Sequence, residues 1–254
     1  MISIVCVYND RKVLDKYLLK SLKNQTAKYE LILVENINKN FKSASDALNY
    51  GANKANGNYL MFVHQDIDLN SNRWLEDVEE VLKSLNNLGI AGIAGKSKNG
   101  VVSNAKHGIP PIPAGKIQIN NPTKVETVDE CLSIIPGSVF KNFKYDEEIC
   151  TDWHLYSVEY CLRVMKNNLD IFVIPNYIYH ASAGYSISDS YFLIIENIMK
   201  KYQDDYKCIY TTLRNWNSSY PFFLQKYWYL FRLQISKFRR FLFRKWGIGY
   251  RFNI

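Results

Sequence analysis

At 254 residues and 47% apolar content, the chain can bury one sizeable core, as a single large domain or one domain with an appendage. No apolar run approaches the roughly 20 residues that cross a bilayer, and the start, Met-Ile-Ser-Ile-Val-Cys-Val-Tyr-Asn-Asp, lacks the basic opening of a secretory signal. The net charge of +8 belongs to the end of the chain. Residues 206–254 hold ten Lys or Arg and no Asp or Glu, leaving the first 205 at −2, which argues against a catalytic domain that binds nucleic acid.

Ile2 to Val7 is a β-rich run that stops at Tyr8-Asn9-Asp10, and Val13, Leu14, Tyr17, Leu18, Ser21 and Leu22 then recur at helical spacing. Leu31 to Val34 reads as a second strand ending at Glu35-Asn36, followed by a helix over Ser43 to Ala55 that stops at Gly57-Asn58. A third strand spans 59–63, a third helix about 73–88 ended by Gly89, and a fourth strand Ile90 to Ala94. Strands alternating with helices predict an α/β fold, a mainly parallel sheet with helices on both faces. Residues 96–127, with three glycines, four prolines and no lasting period, read as a long loop. Val128 to Ile135 reads as one strand, and Leu155, Val158, Leu162 and Met165 mark another helix. Ile171 to Ile174 is the last strand, ended by Pro175, and a helix is expected from Tyr191 to Tyr202.

The stretch that organises the rest is 59–68. An apolar run, Tyr59 to Val63, breaks into His64, Gln65, Asp66 and Asp68. In an open α/β sheet, ligands gather beyond the carboxyl ends of the strands. An Asp beside an imidazole there suits a divalent cation whose other positions go to phosphate and water. The competing reading is that an Asp caps the helix that follows. Three strand ends now carry polar groups: Tyr8-Asn9-Asp10, Glu35-Asn36 and His64-Gln65-Asp66. Neither G-x-G-x-x-G nor a Walker loop is present, so phosphates would be handled without a glycine cradle, for which a metal ion is the usual substitute.

Ile4-Val-Cys-Val-Tyr-Asn-Asp10, Glu30-Leu-Ile-Leu-Val-Glu-Asn36, Ala47-Leu-Asn-Tyr-Gly51, Ala55 through Asp66 and Trp153 through Arg163 stand in the order and spacing of the GT-A glycosyltransferases. The chain resembles inverting family 2, in the branch where the metal motif D-x-D is written H-Q-D, over about residues 1–185. The resemblance implies a metal-dependent, inverting transfer of a sugar from a nucleoside diphosphate to a hydroxyl of a surface polysaccharide or lipid-linked oligosaccharide. Tyr8, Asn9 and Glu35 would hold base and ribose, Asn49, Gly51 and Gln65 would lie near the donor, and Asp66 and His180 would hold Mn²⁺ or Mg²⁺, with His64 either a further contact or a residue that only shapes the site.

The acceptor hydroxyl must lose a proton, which calls for a carboxylate base. Relatives place an acid where this chain has Ser157, and Leu48 stands where many have Arg. Asp152 and Glu159 are the nearest carboxylates, with Asp152 preferred. The ordinary alternatives are Asp152 as a helix cap and Glu159 paired with Arg163 four residues on. Trp153 and His154 are candidates for acceptor contact, and His107 falls in the long loop.

Residues 186–254 are expected as a helical, basic tail. Trp228, Phe231, Ile235, Phe238, Leu242 and Trp246 fall at steps of three and four with Lys237, Arg240 and Arg244 opposite, the pattern of a helix lying in an anionic membrane interface. Packing on the domain, or on a second copy in a homodimer, is the alternative; nucleic acid is not expected. Five cysteines without a pairing pattern read as free thiols in a reducing compartment. The expectation is a cytoplasmic enzyme peripheral to the inner face of the cell membrane. The alternatives are a non-catalytic nucleotide-sugar or carbohydrate-binding module with a degenerate site, and, behind it, a phosphoryl- or nucleotidyl-transferring enzyme.

Overall fold

The computed structural model describes residues 1–182 and 187–246, the side chains of 237 and 239–246 excepted. Seven strands form the central sheet in the order Thr123–Lys124, Asp170–Val173, Leu88–Gly92, Leu132–Pro136, Tyr59–Val63, Ile2–Tyr8 and Tyr29–Glu35. Five run the same way; Leu132–Pro136 is antiparallel to both of its neighbours, and Thr123–Lys124 is an antiparallel edge. The first strand shows how one run serves two layers. Ile2, Ile4 and Cys6 face a cluster with Leu14, Leu18, Trp74 and Val78, whereas Val5 faces Leu48, Ala52 and Phe62 on the other side. Period-two alternation in a strand buried on both faces yields the nearly continuous apolar sequence seen there.

The helices start where their caps stand. Asp10 accepts from the backbone of Lys12 and Val13 to open Arg11–Leu14, which runs on through a π-helical Asp15–Leu19 to Lys20–Leu22. Ser43 accepts from Asp46 N–H to open Ala44–Ala52. Asn49 and Gly51 on that helix serve packing. The Asn49 amide exchanges hydrogen bonds with the Tyr145 backbone and donates to Glu147, and a Cβ on Gly51 would meet Val5 Cγ1 at 2.5 Å. Gly51 thus lets the helix lie close on the sheet and Asn49 ties it to the segment Tyr145 to Glu147, and neither lines the cavities described below.

Three expectations need correction. The helix Trp74–Ser84 stops before Asn87, whose φ of 57° makes the turn; Gly89 lies inside the strand Leu88–Gly92. An Asn tolerates this left-handed backbone better than most side chains. The stretch 96–127 is ordered in small sheets. Ala94–Ser97, Gly100–Ser103 and Thr127–Val128 form one; Ile67–Asp68, Tyr179–His180, Lys106–His107 and Ile112–Pro113 form the other. The run 128–135 is broken: Thr127–Val128 and Leu132–Pro136 belong to different sheets, with Asp129-Glu130 between them. Helix Asp189–Tyr202 buries Tyr191, Ile194, Ile195 and Ile198 in the same cluster as Tyr160, Leu162 and Val164 of helix Tyr156–Lys166.

Glu159 is the polar joint between those two helices. It is fully buried, 2.7 Å from Lys201 Nζ and 3.1 Å from Arg163, and accepts from Tyr202 Oη at 2.8 Å. Lys201 also reaches Asp146 at 2.7 Å. A buried carboxylate held by two cations and a phenol has a structural occupation, and Glu159 lines neither cavity. Removing one member of a buried ion pair strands the others. Glu159→Gln is therefore expected to cost about 3 kcal/mol, a fall in melting temperature of roughly 6–12 °C by calorimetry, with turnover per folded molecule unchanged. Lost turnover at an unchanged melting temperature would return Glu159 to the chemistry.

Candidate active site

The carboxyl ends of the first three parallel strands open on one edge of the sheet, and Gln65 ties two of them together. Its Oε1 accepts from the backbone of Asn9 and Asp10, at 3.0 Å each, and its Nε2 donates to Asn9 Oδ1 at 2.7 Å. Tyr8 Oη donates to the exposed Glu35 at 2.9 Å on the rim. A cleft of about 1210 Å³ follows, lined by Tyr8, Asn9, Gln65 and Asp66 and by Lys39 and Lys42 of the loop after the second strand. Leu48 lines it too. The two lysines, which the sequence analysis did not single out, could supply the cations a diphosphate would need.

At the inner end of the cleft, His64, Asp66 and His180 bring one ligand atom each within 4.8 Å of one another. His64 and Asp66 follow the third strand directly, but His180 arrives from 114 residues away in sequence through a two-residue strand. Tyr179–His180 pairs antiparallel with Ile67–Asp68, and Ala181 N–H donates to the Asp66 carbonyl at 3.0 Å. His180 Nε2 consequently sits 3.2 Å from Asp66 Oδ1, and Asp66 Oδ2 accepts from Ser182 N–H at 3.0 Å. The two imidazoles lie 5.5 Å apart.

Electrostatics suits the cluster to a cation. Burial would raise the Asp66 pKa, but the hydrogen bond and charge of His180, the His64 charge and the Ser182 N–H outweigh it and hold the carboxyl down to about 2. Burial, and then the neighbouring His180, keep the His64 pKa below its ordinary value against the pull of Asp66 and Asp129. A neutral imidazole beside an ionised carboxylate is the protonation state a divalent metal requires of its ligands. Two nitrogens and one oxygen could hold a divalent cation and leave room for further oxygen ligands.

Behind the cluster lies a second cavity of about 290 Å³. His64, Trp153 and Ser182 line both cavities, so they form the wall between them. His154 lines the inner one and meets Tyr191 edge-on at 6.0 Å; His107 lines it as well. Asp129 and Glu130 also line it, and neither was foreseen. The signal was present as two consecutive acids interrupting an apolar run, and it was lost by reading 128–135 as a single strand.

Asp152, expected as the base, lines neither cavity. Its carboxylate accepts from the adjacent Trp153 N–H at 2.8 Å, and its carbonyl accepts from Ala44 N–H. The helix begins only at Tyr156, after Leu155 at φ 64°, so Asp152 neither caps it nor shares a stripe with Tyr156 and Glu159. Ser157 is fully buried away from both cavities.

Comparison with known proteins supports this architecture. The model of a glycosyltransferase-like family matches residues 2–220. No curated protein matches the sequence. Among solved structures, S. aureus TarS 1–349 superposes with a TM-score of 0.56 at 16% identity, covering 79% of this chain and 64% of that one. TarS 1–349 in complex with UDP-GlcNAc gives 0.57 at 15%, covering 79% and 66%. GalNAc-T7 with UDP, GalNAc and Mn²⁺ gives 0.60 at 14%, covering 82% and 49%. The chain thus spans about half to two thirds of these proteins, and at such identities the likeness concerns the fold. With the family model covering most of its length and the sheet order, cleft and strand-end cluster in place, the chain belongs to the glycosyltransferase-like family and has the GT-A fold.

Proposed function

We propose that this protein transfers a sugar, with inversion, from a nucleoside diphosphate to a hydroxyl of a surface polysaccharide or lipid-linked oligosaccharide, using Mn²⁺. The observation that carries the reading is the position of His64, Asp66 and His180 at the boundary between a long cleft and a second cavity. Base and ribose would occupy the cleft between Tyr8, Asn9 and the Asn36 strand end, with the diphosphate directed to Asp66 and the Lys39 and Lys42 side chains above it. A bound cation would supply charge stabilisation to the departing diphosphate. Trp153, in the shared wall, offers a flat apolar face against which a sugar ring can stack. The UDP-GlcNAc in one structural neighbour and the UDP and Mn²⁺ in another favour a uridine donor. A non-catalytic nucleotide-sugar-binding module is the second reading, favoured by the absence of an acid at Ser157.

The site would work at the cytoplasmic face of a membrane. Helix Phe222–Trp246 is seated by Phe222 and Tyr229, whose rings lie 5.4 and 6.2 Å from the buried Trp216. Its other side carries Trp228, Phe231 and Phe238, all more than half exposed. Among the described residues no helix is long and apolar enough to cross a membrane. An exposed aromatic face on a chain segment without acidic residues suits a bilayer surface, each nearby Lys or Arg adding about 1 kcal/mol on anionic lipid. A second copy of the chain is the other partner such a face fits.

Two experiments test these readings. UDP-, GDP- and dTDP-sugars are offered with Mn²⁺, and released nucleotide is measured; Asp66→Asn is expected to lower turnover by about 100-fold or more. Donor binding without turnover across the panel would favour the module, and unchanged turnover in Asp66→Asn would remove the metal role. For the helix, the double variant Trp228→Ser/Phe231→Ser is compared with the unaltered chain on phosphatidylglycerol-rich and phosphatidylcholine vesicles. Losing two aromatics that would insert in the bilayer surface is expected to cost about 3 kcal/mol, roughly 100-fold in affinity. Equal cosedimentation of both proteins would defeat the membrane reading, and a concentration-dependent dimer lost in the double variant would replace it.

A further inference from the structure

The proposed transfer requires a proton acceptor, and neither carboxylate nearest the family position for it reaches a cavity. We infer that Glu130 is the general base and that the inner cavity is where the acceptor hydroxyl presents itself; this rests on the glycosyl-transfer reading above. Three observations carry the inference. Glu130 lines the inner cavity together with His64 and His180, on the side of the cluster away from the nucleotide cleft. Its Oε1 is sealed from solvent and has no hydrogen-bond partner among the described residues, so a buried carboxylate oxygen is left without its expected occupation. Its backbone is locked to the cluster: Tyr156 Oη donates to the Glu130 carbonyl at 3.2 Å and lies 3.5 Å from His64 Nε2, and the neighbouring Cys131 carbonyl accepts from His64 N–H at 3.0 Å.

Asp129 has a different task. Its Oδ1 accepts from Cys131 N–H and its Oδ2 from Thr212 Oγ1, so both oxygens are engaged in holding the turn. Burial, then the Asp129 charge, push the Glu130 pKa well above its ordinary value against the backbone N–H groups of Leu155 and Tyr156. A raised proton affinity is what a base working near neutral pH needs. In the step itself, the acceptor oxygen forms a bond to the anomeric carbon while the bond from that carbon to the diphosphate breaks. The electron pair leaves with the diphosphate, and the hydroxyl proton passes to the Glu130 carboxylate.

The test separates a base from a prop. Water and azide are offered as acceptors with Mn²⁺ and the donor turned over most readily by the unaltered protein; azide attacks as an anion and has no proton to lose. Glu130→Gln is expected to lower donor hydrolysis by about 100-fold or more while glycosyl azide forms within about three-fold of the unaltered rate. Its melting temperature and UDP–Mn²⁺ binding are measured alongside, and Glu130→Asp serves as a second variant that retains the acid. If hydrolysis and azide transfer fall together in Glu130→Gln with UDP–Mn²⁺ binding intact, or if hydrolysis is undiminished, the base assignment is overturned. If Glu130→Gln does not fold, a ratio of hydrolysis to azide transfer in Glu130→Asp below that of the unaltered protein supports the base, and an unchanged ratio overturns it. Absence of any donor turnover in the unaltered protein would instead overturn the glycosyl-transfer reading, and the base with it.

Discussion

The site depends on a pairing of two residues with two. Tyr179–His180 lies antiparallel to Ile67–Asp68, and that short ladder carries an imidazole across the sheet edge to within 3.2 Å of Asp66. Two residue pairs are too few to be stable alone. They are held because the same strand pairs on its other side with Lys106–His107, which pairs in turn with Ile112–Pro113. The glycine- and proline-rich stretch that looked like a loop is thus the scaffold behind His180. Trp74 adds a side-chain tie, donating from Nε1 to the Tyr177 carbonyl at 2.8 Å.

A second constraint comes from the one reversed strand in the middle of the sheet. Leu132–Pro136 enters between Tyr59–Val63 and Leu88–Gly92 against their direction. Its amino end therefore meets the carboxyl ends of its neighbours, and the residues just before it, Asp129 and Glu130, arrive beside His64. Had this strand run parallel, those acids would lie on the opposite edge, far from the cluster. The proposed chemistry would thus draw on strand ends of both polarities: Tyr8, Asn9, His64 and Asp66 from parallel ends, His180 from the short antiparallel ladder, and the acids of the inner cavity from the start of the reversed strand.

The division of acids follows from their surroundings. Asp66, facing two imidazoles and a backbone N–H, is held ionised. Glu159, facing Lys201, Arg163 and Tyr202, is used up in joining two helices. Glu130 has burial and a like charge beside it and one oxygen without a partner. Three carboxylates of similar intrinsic acidity thus take three roles, because what each oxygen touches differs.

Much of this was legible in order along the chain. The alternation of strands and helices, the caps at Asp10 and Ser43, and the polar strand end at His64-Gln65-Asp66 are local patterns, set by residues within a few positions of one another. So was the exposed aromatic stripe from Trp228 to Phe238, since helical periodicity fixes which side chains share a face. Local pattern did not reveal which strand reverses, that residues 96–127 form sheets, or that Glu159 would be claimed by Lys201 and Tyr202, 42 and 43 residues later. Those outcomes depend on partners distant in sequence, and a side chain's protonation, burial and reach are properties of its neighbours in space. The sequence by itself determined the α/β architecture and the kind of atoms at the strand ends; only the tertiary structure decided which carboxylate is free to do chemistry, because that freedom is whatever packing leaves unpaired.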